Sequence, residues 1–248
     1  MENTNETSTP HANININSRS YPLLPLRNAV IFPRATMPIV VGRQRSVAAV
    51  KKAQSADNLI VLATQVSSQV DEPNQKEIYR LGTLCRVESL QGGPDMGYQA
   101  VITGIQRFQI GHFRNEGGFF NVEGSLIDEV VVNDPVRLQA LTNSLKEVSK
   151  ELLELIPGVA DTAGRIVDKV NEPGALADMV ATYLNLPIEK KQRLLETLDV
   201  HSRLEKLVEL VSKEREVLQL QKDIKERMSD RLNKSQRQAL LREEMRAI

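Results

Sequence analysis

The side chains that most often carry chemistry are few in this chain and lie far apart. His11, His112 and His201 have no spacing that would bring them to one metal ion, and Cys85 is the only cysteine. A Lys-Ser pair stands at 234–235, but a nucleophilic serine also needs a base and oxyanion donors, and no G-x-S-x-G turn is present. We therefore expect no catalytic residue, no metal site and no enzyme activity in this chain.

Motifs for nucleotides and a charge pattern for nucleic acid are also missing. Neither G-x-x-x-x-G-K-[ST] nor G-x-G-x-x-G occurs, so no cofactor is expected. The 32 Lys and Arg residues balance 32 Asp and Glu residues, and each half of the chain is close to neutral. We therefore do not expect nucleic-acid binding, since the basic footprint that phosphates require is absent.

The beginning of the chain does not resemble a targeting signal. Residues 1–20 are rich in Asn, Thr and Ser and predict a disordered tail. No run approaches the roughly 18 apolar residues of a membrane span, so no membrane partner is expected. Cys85 lies in an alternating apolar run, which predicts a buried, inert thiol, and a lone thiol fits a reducing, cytoplasmic location.

Residues 21–130 have the pattern of a β-rich domain. Short apolar runs alternate with turns: 59–64 reads as a buried strand, whereas 81–87 and 99–105 alternate with period two. The Gly- and Pro-containing segment 91–97 predicts a hairpin loop, and 43–55 predicts one helix. A small, partly closed barrel or sandwich is the expected architecture.

Residues 134–198 change to helical periodicity and predict an all-α bundle. Asp134 suits the cap of a helix, Pro135 suits its first position, and Pro-Gly at 157–158 ends it. Shorter helices are expected over 163–170 and 175–184 and up to about Leu198. The apolar stripe of the first helix consists of Leu138, Leu141, Leu145, Val148, Leu152 and Leu155.

A long helix is predicted over 199–248, because no Gly or Pro follows Pro187. Asp199 is its expected cap, and its first apolar residues, 204–211, are expected to pack on the preceding helices. Beyond Leu220 either such packing or an arm that reaches another domain or subunit remains open. The stripe proposed for that contact is Leu218, Ile224, Met228 and Leu232.

An ordered series of short motifs resembles the amino-terminal region of Lon-type ATP-dependent proteases. The series begins with YPLLPLRNAVIFP at 21–33 and continues through Met-Pro at 37–38, Gly-Arg at 42–43, YRLGT at 79–83 and GIQRF at 104–108. In the helical part, 173–180, 190–199, 234–237 and 241–248 are similar to that family. The resemblance covers 21–248 and leaves only the tail outside it.

The resemblance implies an α+β protein in which a mostly-β pseudo-barrel related to the PUA fold precedes a helical bundle with a protruding long helix. It also implies that ATPase and Ser-Lys protease modules, with ATP and Mg, belong to a longer parent that assembles as a homohexamer. The helix at 240–248 ends without a capping residue, which also favours a longer protein. A stand-alone adaptor that carries only these domains is the alternative.

Recognition of unfolded or damaged proteins is the function that the resemblance implies. Such recognition needs exposed, adaptable apolar patches. The candidates are Ile31, Phe32 and Pro33 in the turn after the first strand, and Met96 and Tyr98 near the hairpin tip. For Ile31 and Phe32 a place in the core is the favoured interpretation over surface contact. Coupling to other subunits through the long helix is a second, compatible hypothesis.

Overall fold

The computed structural model describes residues 19–93, 97–158 and 160–246, without the side chains at 160, 161, 230 and 232–246. The chain forms two compact units that divide between Asp128 and Glu129. The first unit is a β sheet with one α-helix, and the second is built of helices. This organisation confirms the predicted α+β class.

The first unit is a sheet that closes on itself. In chain order its elements are β1 (Ser20–Leu26), β2 (Thr36–Val41), α1 (Gln44–Gln54), β3 (Leu59–Thr64), a 3-10 turn (Gln75–Glu77), β4 (Leu81–Gly93), β5 (Gly97–Glu116) and β6 (Phe119–Ile127). The strand order is β2-β5-β4-β3-β1-β6, and β6 also pairs with β5. That additional pairing gives the barrel-like closure that the strand pattern predicted.

The core of this unit lies on both faces of β3. Ile60 and Leu62 pack in one cluster with Val50 of α1, and Val61 belongs to a second cluster that contains Phe108. A strand with both faces covered needs consecutive apolar residues, which explains the unbroken run at 59–64. The same physical reason supported its assignment from sequence.

The hairpin between β4 and β5 is longer than predicted. The two strands stay paired out to Gly93 and Gly97, so most of the segment expected to be a loop continues the ladder. Gly92 and Gly97 have φ values of 99° and 75°, which glycine adopts at little cost. The glycines therefore allow the strands to continue.

The second unit contains five described helices. They are α2 (Pro135–Glu154), α3 (Ala160–Lys169), α4 (Pro173–Tyr183), α5 (Ile188–Glu196) and α6 (Val200–Arg246). Asp134 accepts a hydrogen bond from the Arg137 amide at 3.0 Å, and Asp199 accepts one from the Ser202 amide at 2.7 Å. Hydrogen bonds from Ser202 hold the pKa of Asp199 below its ordinary value. Both predicted caps are confirmed.

The first turns of α6 belong to the core of the helical unit. Leu204, Leu207 and Val211 are completely buried, as is Leu145 of α2. Glu129 and Val130 also belong to this unit, although the sequence pattern grouped them with the strands. The Val130 amide donates to the Leu198 carbonyl at 3.0 Å, and its carbonyl accepts from the Val200 amide at 2.9 Å.

A buried guanidinium ties three parts of the helical unit together. The side chain of Arg203, in α6, is fully buried and forms ion pairs with Glu129 and with Asp178 of α4, the latter at 3.3 Å. Its Nη1 donates to the Thr197 carbonyl at 2.8 Å. A Cβ on Gly174 would lie 2.0 Å from the Glu129 carboxylate, so a larger residue at 174 would displace this carboxylate from its position beside Arg203.

We predict that Arg203→Met lowers the free energy of unfolding by about 3–5 kcal/mol, because it leaves a buried carboxylate uncompensated. Urea unfolding followed by circular dichroism at 222 nm measures the loss. Adding Asp178→Leu should restore part of it. Arg215→Met removes a surface pair with Glu151 and should cost no more than about 1 kcal/mol. If both arginine variants lost the same free energy of unfolding, Arg203 would not be the buried centre of an ion-pair network.

Candidate functional site

The turn after β1 is buried, so the expectation that its apolar residues are exposed is wrong. Ile31 and Phe32 are 2% and 0% exposed, and Pro33 is also buried. Ile31 belongs to the same core cluster as Val50 of α1. In this fold these residues hold the turn in place and offer no surface to a partner.

Close backbone packing explains why the turn is buried. The Thr83 hydroxyl donates to the Ile31 carbonyl at 2.5 Å, and the Arg34 amide donates to the Gly104 carbonyl at 2.9 Å. A Cβ on Gly104 would lie 2.3 Å from the Phe32 carbonyl oxygen. The glycine therefore lets β5 approach the turn.

Tyr98 lies at the beginning of β5 and is half-buried against the core. Its hydroxyl accepts a hydrogen bond from Lys51 Nζ at 3.1 Å, and the same nitrogen lies 4.9 Å from the ring centroid. Tyr98 therefore presents only part of its ring, beside a cation. Met96 lies outside the described residues, so its role stays a prediction.

An apolar strip that the sequence reasoning missed runs along the outer face of β2 and β5. Pro38 and Val40 on β2 are exposed, Val40 to 84%. Val101 of β5 is directly opposite Pro38 and is half-buried. We call these three residues the β2–β5 strip. The five consecutive apolar residues at 37–41 were the sequence feature that indicated this strip. If only one face of a strand is buried, every second residue is exposed, and here those residues are apolar as well.

The strip has a polar border. Thr36 and Thr103 face each other across the same two strands, with their hydroxyl oxygens 3.0 Å apart. Gln99 is exposed opposite Val40, and Arg86 is exposed on β4 opposite Thr103. A small apolar centre with polar edges is a typical arrangement for a protein-binding surface.

The second half of α6 carries an unpaired apolar stripe over its described side chains. Leu220, Ile224 and Met228 are 61%, 57% and 60% exposed, and Val217 is also exposed. Leu218 is half-buried and lies about 100° away from Val217 around the helix, so it does not belong to this exposed face. The side chain of Leu232 is outside the described residues.

The described residues offer neither a metal-binding cluster nor a reactive cysteine. No group of three His, Cys, Asp or Glu side chains in that part of the chain could hold a metal ion. Cys85 is fully buried, and burial raises the pKa of its thiol far above the ordinary value. The thiolate is therefore not populated at neutral pH. None of the described helices is long and apolar enough to cross a membrane.

Comparison with known families gives a match over most of the chain. The profile of the ATP-dependent protease La (LON) substrate-binding domain matches residues 20–213. Lon protease 2 of Sorangium cellulosum is 39% identical over 237 residues, which are 92% of this chain and 29% of that protein. Lon protease 2 of Myxococcus xanthus is 33% identical over 227 residues, which are 92% of this chain and 27% of that protein.

Solved structures give the same result. The N-terminal domain of a Mycobacterium avium complex Lon protease superposes with a TM-score of 0.66 at 25% identity, covering 78% of this chain and 98% of that chain. A Lon N-terminal domain protein from Xanthomonas campestris has a TM-score of 0.53 at 21% identity, which supports the fold alone. This chain spans less than a third of the length of the curated relatives cited above.

We predict that Gly104→Ala destabilises the β unit by about 1–3 kcal/mol, because the new methyl group would overlap the Phe32 carbonyl. Thermal unfolding measures the change. Gly42→Ala is the matched control, since nothing lies within 4 Å of a Cβ at that position. A melting temperature that falls equally in both variants would mean that the turn is not packed as described.

Proposed function

The chain belongs to the Lon substrate-binding domain family, and from that premise we propose that its β unit captures unfolded or damaged polypeptides for a Lon-type protease. The chain itself is proposed to be non-catalytic. The curated relatives are more than three times its length, and we assign ATP, Mg and peptide-bond hydrolysis to the part of the parent that this chain does not span. Client capture is its own contribution.

The observation that supports client capture is the β2–β5 strip. Its aliphatic residues are exposed on the outer face of two paired strands, so the strip can contact apolar segments of many sequences without selecting one. Folded proteins bury most such segments, whereas unfolded proteins expose them. The strip therefore distinguishes clients by their folding state.

A second role, coupling to other subunits of a homohexameric parent, is supported by the exposed stripe on α6. The helix has 47 residues, so it is about 70 Å long. The first turns of α6 are buried, whereas Leu220, Ile224 and Met228 form an apolar face that is exposed to solvent. An apolar stripe of that kind is stabilised when a second helix or domain packs on it.

Client capture predicts that the isotope-labelled chain shows chemical-shift changes when a permanently unfolded apolar polypeptide is added, and none with its folded form. The shifts should cluster on β2 and β5. Val40→Asp should weaken binding about tenfold, because it places a charge in the strip. Leu126→Asp on β6 is the control, since Leu126 is also exposed but lies outside the strip.

Met96→Asp tests the remaining predicted contact in the same titration. Unchanged client binding by this variant would remove Met96 from the site. Absence of shifts with wild-type chain at millimolar client would refute client capture by the β unit. Shifts confined to α6 would assign recognition to the helix instead.

Subunit coupling through α6 predicts concentration-dependent sedimentation that is lost when Leu220, Ile224 and Met228 are all changed to Gln. Gln preserves helix propensity while removing the apolar stripe. The chain should associate at about 100 μM, because mass action favours the paired helix as concentration rises. A wild-type chain that stays monomeric at that concentration would exclude strong self-association through this helix alone.

A further inference from the structure

The loop between β3 and β4 is compact and anchored from inside the β unit. We refer to residues 66–77 as the acidic loop. Gln65 and Ile78 form a bridge that brings its ends together, and the Val66 amide donates to the Glu77 carbonyl at 2.8 Å. The side-chain amide of Gln65, a buried residue, donates to the Val70 carbonyl at 2.9 Å. The backbone of the loop is therefore held independently of its acidic side chains.

Three arginines converge on this loop. Arg43 donates to the backbone carbonyl of Asp71 at 2.8 Å, to the Pro25 carbonyl at 3.0 Å and to Gln65 Oε1 at 2.7 Å. Its contacts are to neutral groups, so it acts as a structural anchor. Arg27 forms an ion pair with the Asp71 carboxylate, and Arg45 forms one with Glu72.

The two carboxylates are held weakly. Asp71 and Glu72 are 87% and 68% exposed, and ion pairs between exposed groups contribute little to stability. The Arg45–Glu72 pair is 3.8 Å long, which is beyond hydrogen-bond distance. Within the described part of the chain, the N–H donors of Arg45 thus have no carboxylate at bonding distance.

The positive charge exceeds the negative charge at this place. Three guanidinium groups meet two carboxylates, and α1 begins here without a side-chain cap or an acidic residue in its first turn. The amino end of a helix carries partial positive charge, which adds to that of the arginines. Phe120, 5.9 Å from the Arg45 guanidinium, and Leu23 line an apolar pocket beside them.

From this arrangement we propose that Arg27 and Arg45 form a docking site for an acidic segment of an extended polypeptide, which Asp71 and Glu72 occupy as an internal competitor. The partner has the chemistry of the loop itself: two adjacent carboxylates next to an apolar residue and a proline. This site deepens the proposed client capture, on which it rests, by adding a charge preference to apolar recognition.

The test uses fluorescence anisotropy with two labelled peptides and the full chain. One peptide copies the acidic loop, VSSQVDEPNQKE, and the other carries Asn and Gln in place of its Asp-Glu pair. The chain with Asp71→Asn and Glu72→Gln should bind the acidic peptide about fivefold more tightly than the wild type, because two surface ion pairs no longer compete. It should show no gain for the amide peptide.

Matched arginine variants identify the site. In the Asp71→Asn, Glu72→Gln background, Arg45→Gln should remove the gain, whereas Arg193→Gln, which removes an exposed arginine on α5, should leave it unchanged. Raising the salt concentration from about 50 to 500 mM should weaken binding of the acidic peptide, since exposed charges are screened. Circular dichroism verifies that each variant is folded.

The proposal is overturned if the acid-to-amide variant does not gain affinity, if the two peptides bind equally, or if Arg193→Gln has the effect of Arg45→Gln. These outcomes leave the β2–β5 strip untouched, because client capture there is measured with an uncharged apolar polypeptide. Conversely, loss of client capture with retained peptide binding would refute only the strip.

Discussion

Arg203 places a full positive charge where water does not reach, and the helical unit is arranged around the groups that neutralise it. The partners come from three positions in the chain: Glu129 before α2, Asp178 on α4 and the Thr197 carbonyl before α6. An ion of this kind is costly to bury unless all of its partners are present. These three partners of Arg203 therefore specify where the chain enters the helical unit and where α6 begins. Apolar contacts alone would leave both positions less defined.

In the β unit the corresponding constraint is the length of β5. Its 20 residues pair with β2, β4 and β6, so one strand determines both the closure of the sheet and the position of its edge. Gly104 allows β5 to press on the turn after β1, which buries Ile31 and Phe32. Through residues 98–103 the same strand pairs with β2, and the outer side of that pair is in solvent. Burial of one apolar segment and exposure of another thus have a common cause.

Most of the elements could be predicted from local patterns, whereas the surface could not. The caps at Asp134 and Asp199 and the buried strand at 59–64 depend on neighbours in sequence, so local reasoning identified them. The exposure of residue 31 or 40 depends on which strand lies opposite, and a contact across about 70 residues has no local signature. The buried ion pair of Arg203 could not be predicted for the same reason, because its carboxylate partner Glu129 is 74 positions away.

The size of the β2–β5 strip suits a weak, reversible contact. Burying an aliphatic side chain contributes about 1.5–3 kcal/mol at most, and two or three partly exposed ones, less the entropy of ordering a flexible client, leave a dissociation constant on the order of a millimolar. A single copy would release its client quickly. Several copies in one assembly would hold an unfolded chain through many such contacts, while each contact stays short-lived enough to let the chain move on. Tight binding at one site would oppose that movement, so the open, exposed face of the β2–β5 strip is consistent with a capturing surface that passes its client to another module.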